Sequence, residues 1–460
     1  MFIGRTQELK QLEDAYRQER NAAIVLYGRF GIGKTELAAL FAKDKPTVFY
    51  TARELSEQEQ RYCFAKELGF AMQEKAPSFY ESLKYAVAER ENKTKKAVII
   101  IDEFHFLVKT SEEFKVTFLK LLMEEQCMFL FLSSSVNWVE NNMVQEFGPA
   151  ARAIYGTIKL KEFTFLELVK RFPDMSVEKT IYANAILGGV PEYLNVWNEK
   201  SSVKENILRL FLRKDAPLLY GAESFLKREL RELGAYNAIL AAMAAGRNKL
   251  NDIYARTGFS RAKISVYIKN LIELDVVEKV FSFDASENAT QVHANVQKGL
   301  YRIKDNYLRF WYRYVFPNLS AILMGQGDLV YENEISKDFS YYMQECFAGV
   351  CSEYLKLMDQ YGKLVSHYET WGTWYGKTGR IDVVAGNDVG EILIGFCRFD
   401  SRMMTGKDIK QYKELLELAK LAPKELYLFS KAGFSEELRQ KIEKGCLKEC
   451  KVIPVGLEDL

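Results

Sequence analysis

One run of eight residues, Gly-Arg-Phe-Gly-Ile-Gly-Lys-Thr at positions 28–35, constrains this chain more than any other stretch. It stands between an apolar run, AAIVLYG, and a helix-forming run, ELAALFAK. The spacing Gly28-x-x-x-x-Gly33-Lys34-Thr35 in a strand-to-helix setting is that of a phosphate-binding P-loop. Glycines let main-chain N–H groups turn inward around an anion, and the helix N-terminus adds partial positive charge. The expected nucleotide cradle is therefore Gly28, Arg29, Phe30, Gly31, Ile32, Gly33, Lys34 and Thr35. Lys34 is expected to reach the β and γ oxygens of ATP, and Thr35 to ligate Mg²⁺.

Such a loop requires a parallel sheet, and the surrounding sequence supplies its strands. An amphipathic helix carrying Glu8, Leu9, Leu12, Ala15 and Tyr16 precedes the loop, and TVFYTA at 47–52 reads as the second strand. AVIIIDEFHFL is the third, with Asp102 and Glu103 directly after its apolar run. Two carboxylates at the carboxyl end of a buried parallel strand are costly unless they serve an ion or a reaction. Asp102 is read as a holder of the Mg²⁺ shell, and Glu103 as the base that polarises the attacking water. The fourth strand, CMFLFLSSS, ends in hydroxyls that place Ser133 or Ser134 beside the terminal phosphate. A fifth, GTIKLKEF, follows Arg152, a candidate for meeting developing phosphate charge.

The chain has 460 residues, which at about 150 residues per domain suggests three compact units. Hydrophobic residues at 48% and only 9 prolines supply several cores and exclude extensive disorder. A formal charge of +2 provides no global field toward nucleic acid or anionic lipid, so such binding would need a local patch. Cys63, Cys127, Cys346, Cys351, Cys397, Cys446 and Cys450 are scattered, without a CxxC. His105, His293 and His367 are not spaced to join them, so reduced thiols are expected and no structural zinc. Arg5 interrupts the start of any secretory segment, and no run approaches the roughly 18 apolar residues of a spanning helix. The expectation is a soluble, cytoplasmic protein without a membrane partner.

FIGR at 2–5 with Glu8-Leu9, GRFGIGKT, IIIDEF, FLSSS and LGGVPEYL at 187–194 together resemble the archaeal-type ATPases, a family related to the STAND signal-transducing NTPases. The resemblance implies the strand order of additional-strand P-loop ATPases. It also implies a helical lid whose Gly-x-Pro element, here Gly189 and Pro191, packs on the bound nucleotide. The lid is placed at 165–234, after an ATPase core at 1–164.

From residue 235 to 304 the pattern becomes three short amphipathic helices followed by two strands, VVEKVFSF and GLYRIK, the layout of a winged helix-turn-helix. Ser260 is expected to cap the third helix, with Ile264, Ile268, Leu271 and Ile272 buried. Its other face carries Arg261, Lys263, Tyr267, Lys269 and Asn270, residue types that bind phosphates and read bases. Double-stranded DNA and a protein are therefore alternative partners for this module. An aromatic connector follows at 305–333, read as packed between domains rather than as a base-stacking surface.

Residues 334–460 alternate helices and strands and, with WGTW before RIDVVA, resemble the restriction-endonuclease-like domain found at the carboxyl end of these ATPases. That chemistry needs an acid on one strand and Glu-x-Lys on the next. Asp382 keeps the first position, but Phe396 and Arg398 stand at the others. Phenylalanine ligates no metal, so the nuclease site is expected to be inactive and Asp382 to be a strand-end surface carboxylate. Glu345 and Asp400 are the residues from which a site could be rebuilt.

The fold class expected is thus α/β multidomain: a P-loop NTPase parallel sheet with helical lid, a winged helix-turn-helix, and a degenerate nuclease-like α/β domain. The expected function is an ATP-hydrolysing molecular switch, the alternatives being an ATP-regulated DNA-binding protein or a protein-recruiting scaffold.

Overall fold

The computed structural model describes residues 3–70, 76–89, 95–283, 299–376, 379–445 and 450–460. Phe2, His293 and Cys446 lie outside the described residues, as does most of the loop between the two strands of the expected wing. The chain divides into two compact units.

The first unit comprises Met1–Glu162, Val190–Glu192 and Phe225–Leu230. Strands β1 (Ala22–Tyr27), β2 (Thr47–Thr51), β3 (Ala97–Asp102), β4 (Cys127–Ser133) and β5 (Gly156–Lys159) form one sheet in the order β2-β3-β4-β1-β5. All its pairings are parallel. Strands β1, β3 and β4 are buried along their whole length, which is why they read as unbroken apolar runs rather than as alternations. At the edge, β2 alternates exposed and buried residues. Strand β4 lies between β1 and β3, the order that the resemblance implies. The carboxyl ends of three neighbouring central strands therefore bring together the phosphate loop, Asp102-Glu103 and Ser133-Ser134.

The second unit comprises Phe163–Gly189, Tyr193–Ser224 and Arg231–Leu460. Helices Leu233–Ala244, Leu250–Thr257 and Arg261–Glu273 precede an antiparallel ribbon of β6 (Val277–Val280) and β7 (Leu300–Ile303). Ser260 accepts the Lys263 N–H and caps the third helix, as its position predicts. Ile264, Ile268 and Leu271 are buried, whereas Ile272 is exposed, one helical step beyond the face that the first two helices cover. The aromatic run after the ribbon is core: Tyr307, Trp311 and Tyr312 are buried. Trp311 Nε1 donates to the Leu219 carbonyl at 2.8 Å, and the Tyr312 hydroxyl to Asn237 at 2.6 Å.

The long helix Ser336–Gln360 leads into a five-stranded mixed sheet, ordered β12-β11-β10-β9-β8. Its members are β8 (Thr370–Tyr375), β9 (Arg380–Gly386), β10 (Ile392–Arg398), β11 (Glu425–Ser430) and β12 (Lys451–Val455). Pairing is antiparallel from β8 to β10 and parallel from β10 to β12. The WGTW segment is itself a strand, β8, with a register shift between Gly372 and Trp374 that blurs its period-two pattern. Among the described residues no helix is long and apolar enough to cross a membrane.

Candidate functional site

The phosphate loop is held from below and from its far side. Arg5 sits in a left-handed turn at φ 61° and is buried, its guanidinium donating to the carbonyls of Ile32 at 3.3 Å and Lys161 at 2.5 Å. A residue of the FIGR segment thus acts as a brace under the loop. Gly33, at φ 94°, and Gly31, at φ 78°, adopt conformations that side-chain-bearing residues disfavour. At Gly31 space is closed too: an added Cβ would stand 2.1 Å from Oε2 of Glu192. Glu192 follows Pro191, and its main-chain N–H donates to the Gly31 carbonyl at 3.2 Å. The Gly-x-Pro region therefore reaches the loop through Glu192, a residue that the sequence reading passed over. Gly189 is packed so tightly that a Cβ would meet the Phe163 carbonyl oxygen at 2.2 Å.

Around the loop, Lys34 is buried and its ammonium donates to the carbonyls of Gly28 at 2.8 Å and Arg29 at 3.1 Å. Burial lowers its pKa, while Glu103 and Asp102 act in the opposite direction. Thr35 Oγ1 donates to Asp102 Oδ2 at 3.0 Å. Two oxygens of the types that bind Mg²⁺ are thus adjacent at the mouth of an amide-lined loop, which fits that ion. Burial, with Glu103 beside it, raises the Asp102 pKa. Glu103 holds φ 51°, a backbone strain that concentrates at functional sites. Its carboxylate accepts the Ser134 N–H at 2.9 Å and lies 3.4 Å from His105 Nδ1.

Ser133 and Ser134 have different surroundings. Ser133 is fully buried and its hydroxyl pairs with His105 Nδ1 at 3.1 Å, whereas Ser134 is partly exposed and meets Glu103 through its main chain. His105, counted in the sequence only as one of three histidines, thus sits beside the proposed base. Burial pushes its pKa down to about 3, so the imidazole is neutral. Arg29 pairs with Glu162 at 2.6 Å, and Phe30 lies exposed.

Arg152 is not brought to this site. It lies exposed on the Gly148–Ala153 turn ahead of β5, and Tyr155 bonds the carbonyl of Ala23 near the amino end of β1. The loop begins five residues further along β1, about 17 Å away at the rise of a strand. In a parallel sheet a residue preceding a strand lies at the opposite edge from loops that follow strands, and this corrects the expectation for Arg152.

The basic face of the Arg261–Glu273 helix is partly committed. The Tyr267 hydroxyl donates to Glu232 and Asn270 donates to the Tyr236 hydroxyl at 2.7 Å, so both are engaged by the Leu233–Ala244 helix and its cap. Lys269 lies 3.7 Å from Glu273. Arg261 and Lys263 are exposed, Arg261 stacking over Tyr254 at 4.5 Å and bonding Asn251 at 2.9 Å.

In the mixed-sheet domain Asp382 is not a strand-end surface group. It lies within β9 with its side chain 14% exposed, accepts the Cys397 N–H at 3.1 Å and stands 3.2 Å from Arg380 Nε. Glu345 lies 3.8 Å from the same arginine. Burial raises the Asp382 pKa against the lowering effect of Arg380. Phe396 stacks on Tyr412 at 3.9 Å, inside the core between the sheet and the Gly406–Ala419 helix. Arg398 pairs with Asp408 at 2.5 Å, and Asp400 is held in its own turn by Arg402 at 2.8 Å. Asp400 is thereby removed from any rebuilt site. Among the described residues no group of three or more His, Cys, Asp or Glu is arranged to hold a metal ion.

A glycine-turned loop between β1 and its helix, a lysine at its base and an acidic pair after β3 define a P-loop ATPase domain. Residues 2–197 match the family described as an ATPase domain predominantly from Archaea, and residues 311–411 match one described as archaeal and bacterial proteins of unknown function. The chain combines an archaeal-type ATPase domain with that carboxyl-terminal domain. An uncharacterized protein of Methanocaldococcus jannaschii is 28% identical over 455 residues, covering 97% of this chain and 98% of its own. Two solved structures are also similar, a Walker-type ATPase of Pyrococcus abyssi and the ORC2 protein of Aeropyrum pernix. The first has 15% identity and a TM-score of 0.48, over 68% of this chain and 96% of its own. The second has 15% identity and a TM-score of 0.43, over 70% and 94%.

Proposed function

We propose that the chain is an ATP-hydrolysing molecular switch. Its domains divide into an ATPase core at 1–164, a helical lid at 165–234, a winged helix at 235–304, a connector at 305–333 and a non-cutting nuclease-like domain at 334–460. The observation that carries the reading is the junction of Thr35 and Asp102 at 3.0 Å beside Lys34 and Glu103. Loop amides and Lys34 bind the β and γ phosphates, and Thr35 and Asp102 would hold Mg²⁺. The ion, when bound, supplies positive charge to the bridging and terminal oxygens. Glu103 accepts a proton as the water oxygen bonds to the γ phosphorus and the bond to the β–γ bridging oxygen breaks, giving ADP and phosphate. Ser134 and His105 fix the orientation of the Glu103 carboxylate. Pro191, by resemblance, packs on the nucleotide, and Glu192 anchors that element to the loop.

Equilibrium nucleotide binding and phosphate release on three proteins test this. Lys34→Ala is expected to abolish binding, and Glu103→Gln to bind ATP normally while turnover falls at least about a hundredfold. Normal turnover in the Glu103 variant would refute its role. A second reading, a DNA-binding regulator set by nucleotide state, is favoured by the exposure of Arg261 and Lys263 at the start of the third winged-helix segment. Measuring ATPase rate with and without double-stranded DNA separates the two readings, since stimulation belongs to the second.

A further inference from the structure

Phe225–Leu230 belongs to the same unit as the phosphate loop, and three of its residues touch the loop's surroundings. The Phe225 ring lies 4.2 Å from the Arg29 guanidinium, and the Arg228 guanidinium lies 3.6 Å over the Phe30 ring. Glu229 accepts the main-chain N–H groups of Val136 and Asn137, just past the carboxyl end of β4. It interacts electrostatically with both Lys34 and Glu103. Its Oε2 is buried and has no hydrogen-bond partner. Burial pushes its carboxyl pKa up to about 7.

A carboxylate on the first amides of a helix is ordinarily a cap. Capping accounts for two of its hydrogen bonds but not for the choice of place. The side chain also feels the charges of a second carboxylate, Glu103, and of the lysine assigned to the terminal phosphate. A cap alone would be better served there by a neutral serine or asparagine, which brings no charge repulsion.

We propose that Glu229 is a specificity-determining residue that distinguishes nucleoside triphosphate from diphosphate. Its carboxylate supplies negative charge near Lys34 in the free protein, and the γ phosphate, arriving with its own charge, displaces it. ADP ends one phosphate short and leaves it seated. The inference deepens the ATPase reading above and rests on it.

The test is isothermal titration of full-length protein with ADP and with a non-hydrolysable ATP analogue, both with Mg²⁺, comparing wild type, Glu229→Gln and Glu229→Ala. Glutamine keeps the length and an acceptor for the two amides while removing the charge. Both variants, titrated at about pH 8.5 so that a carboxyl with a pKa of about 7 is ionised in the wild type, are expected to tighten the ATP analogue about tenfold or more relative to ADP. Equal shifts for the two ligands, or none, would overturn the proposal and leave Glu229 a structural cap. Failure of wild-type protein to bind either nucleotide would instead overturn the ATPase reading, and the inference with it.

Discussion

The pair of Arg380 and Asp382 gives a sharp prediction, because a surface carboxylate and a buried one respond oppositely to removal. Asp382→Ala deletes the nearer of two carboxylates beside Arg380, whose side chain is 26% exposed and keeps Glu345 at 3.8 Å, and leaves the Cys397 N–H without its acceptor. Fully stranding one member of a buried ion pair costs about 3–5 kcal/mol, an upper bound where Glu345 remains, and the lost hydrogen bond costs about 1 more. Taking the lower end for a pair with some solvent access gives about 4 kcal/mol. At roughly 2–4 °C per kcal/mol for a domain of this size, thermal unfolding by circular dichroism should move down by about 10 °C. Asp382→Asn keeps an acceptor for the amide and should fall between the two. The double variant Arg380→Met with Asp382→Leu removes both charges and should melt within about 3 °C of wild type. An Asp382→Ala protein within about 1 °C of wild type would refute the reasoning, because only a solvated carboxylate is lost so cheaply. The same protein serves a second assay, on plasmid and single-stranded DNA with Mg²⁺ or Mn²⁺. No cleavage is expected, and cleavage abolished by Asp382→Ala would sink the non-cutting reading.

Other perturbations probe the ATPase unit and the basic helix. His105 titrates near 3 when folded against about 6.5 when unfolded, so its contribution is complete above pH 6.5 and is lost as pH falls toward 3. Lowering the pH from 7 to 5 should remove about 2 kcal/mol through this group, and His105→Gln should flatten that part of a melting-temperature profile. Gly31→Ala adds a contact with Glu192 to the strain of a positive φ, whereas Gly33→Ala meets nothing nearer than 3.8 Å. Hydrogen exchange of the Glu192 amide should therefore quicken roughly tenfold or more in the first variant and little in the second. If the Arg261–Glu273 helix binds DNA, Arg261→Ala with Lys263→Ala should weaken binding and reduce its salt dependence by about two charges in a titration at several salt concentrations.

What could be read from the chain, and what could not, divides by how far each group's meaning depends on distant neighbours. Lys34 and Thr35 were legible because a phosphate loop concentrates its chemistry in eight consecutive residues, and Asp102 because a charge closing an apolar strand is conspicuous. The lapse over Arg152 was avoidable: the parallel direction of β5 already puts residues preceding it at the edge away from the loop. Ile272 and Tyr267 misled for a different reason, since a helix with neighbours on more than one side has no single polar face, and Glu232 and Tyr236 claim part of the side that looked free. Asp382 was beyond reach, because nothing within its own strand says that Cys397 and Arg380 surround it. Glu229 shows the same limit most clearly. It sits in an ordinary charged run, KRELRE, and 126 residues separate it from its partner at Glu103. Only the return of Phe225–Leu230 to the first unit turns a surface-like glutamate into a partly buried group that feels the charge of Lys34. Side chains whose surroundings come from distant stretches of the chain are therefore the ones that local pattern is least able to reveal.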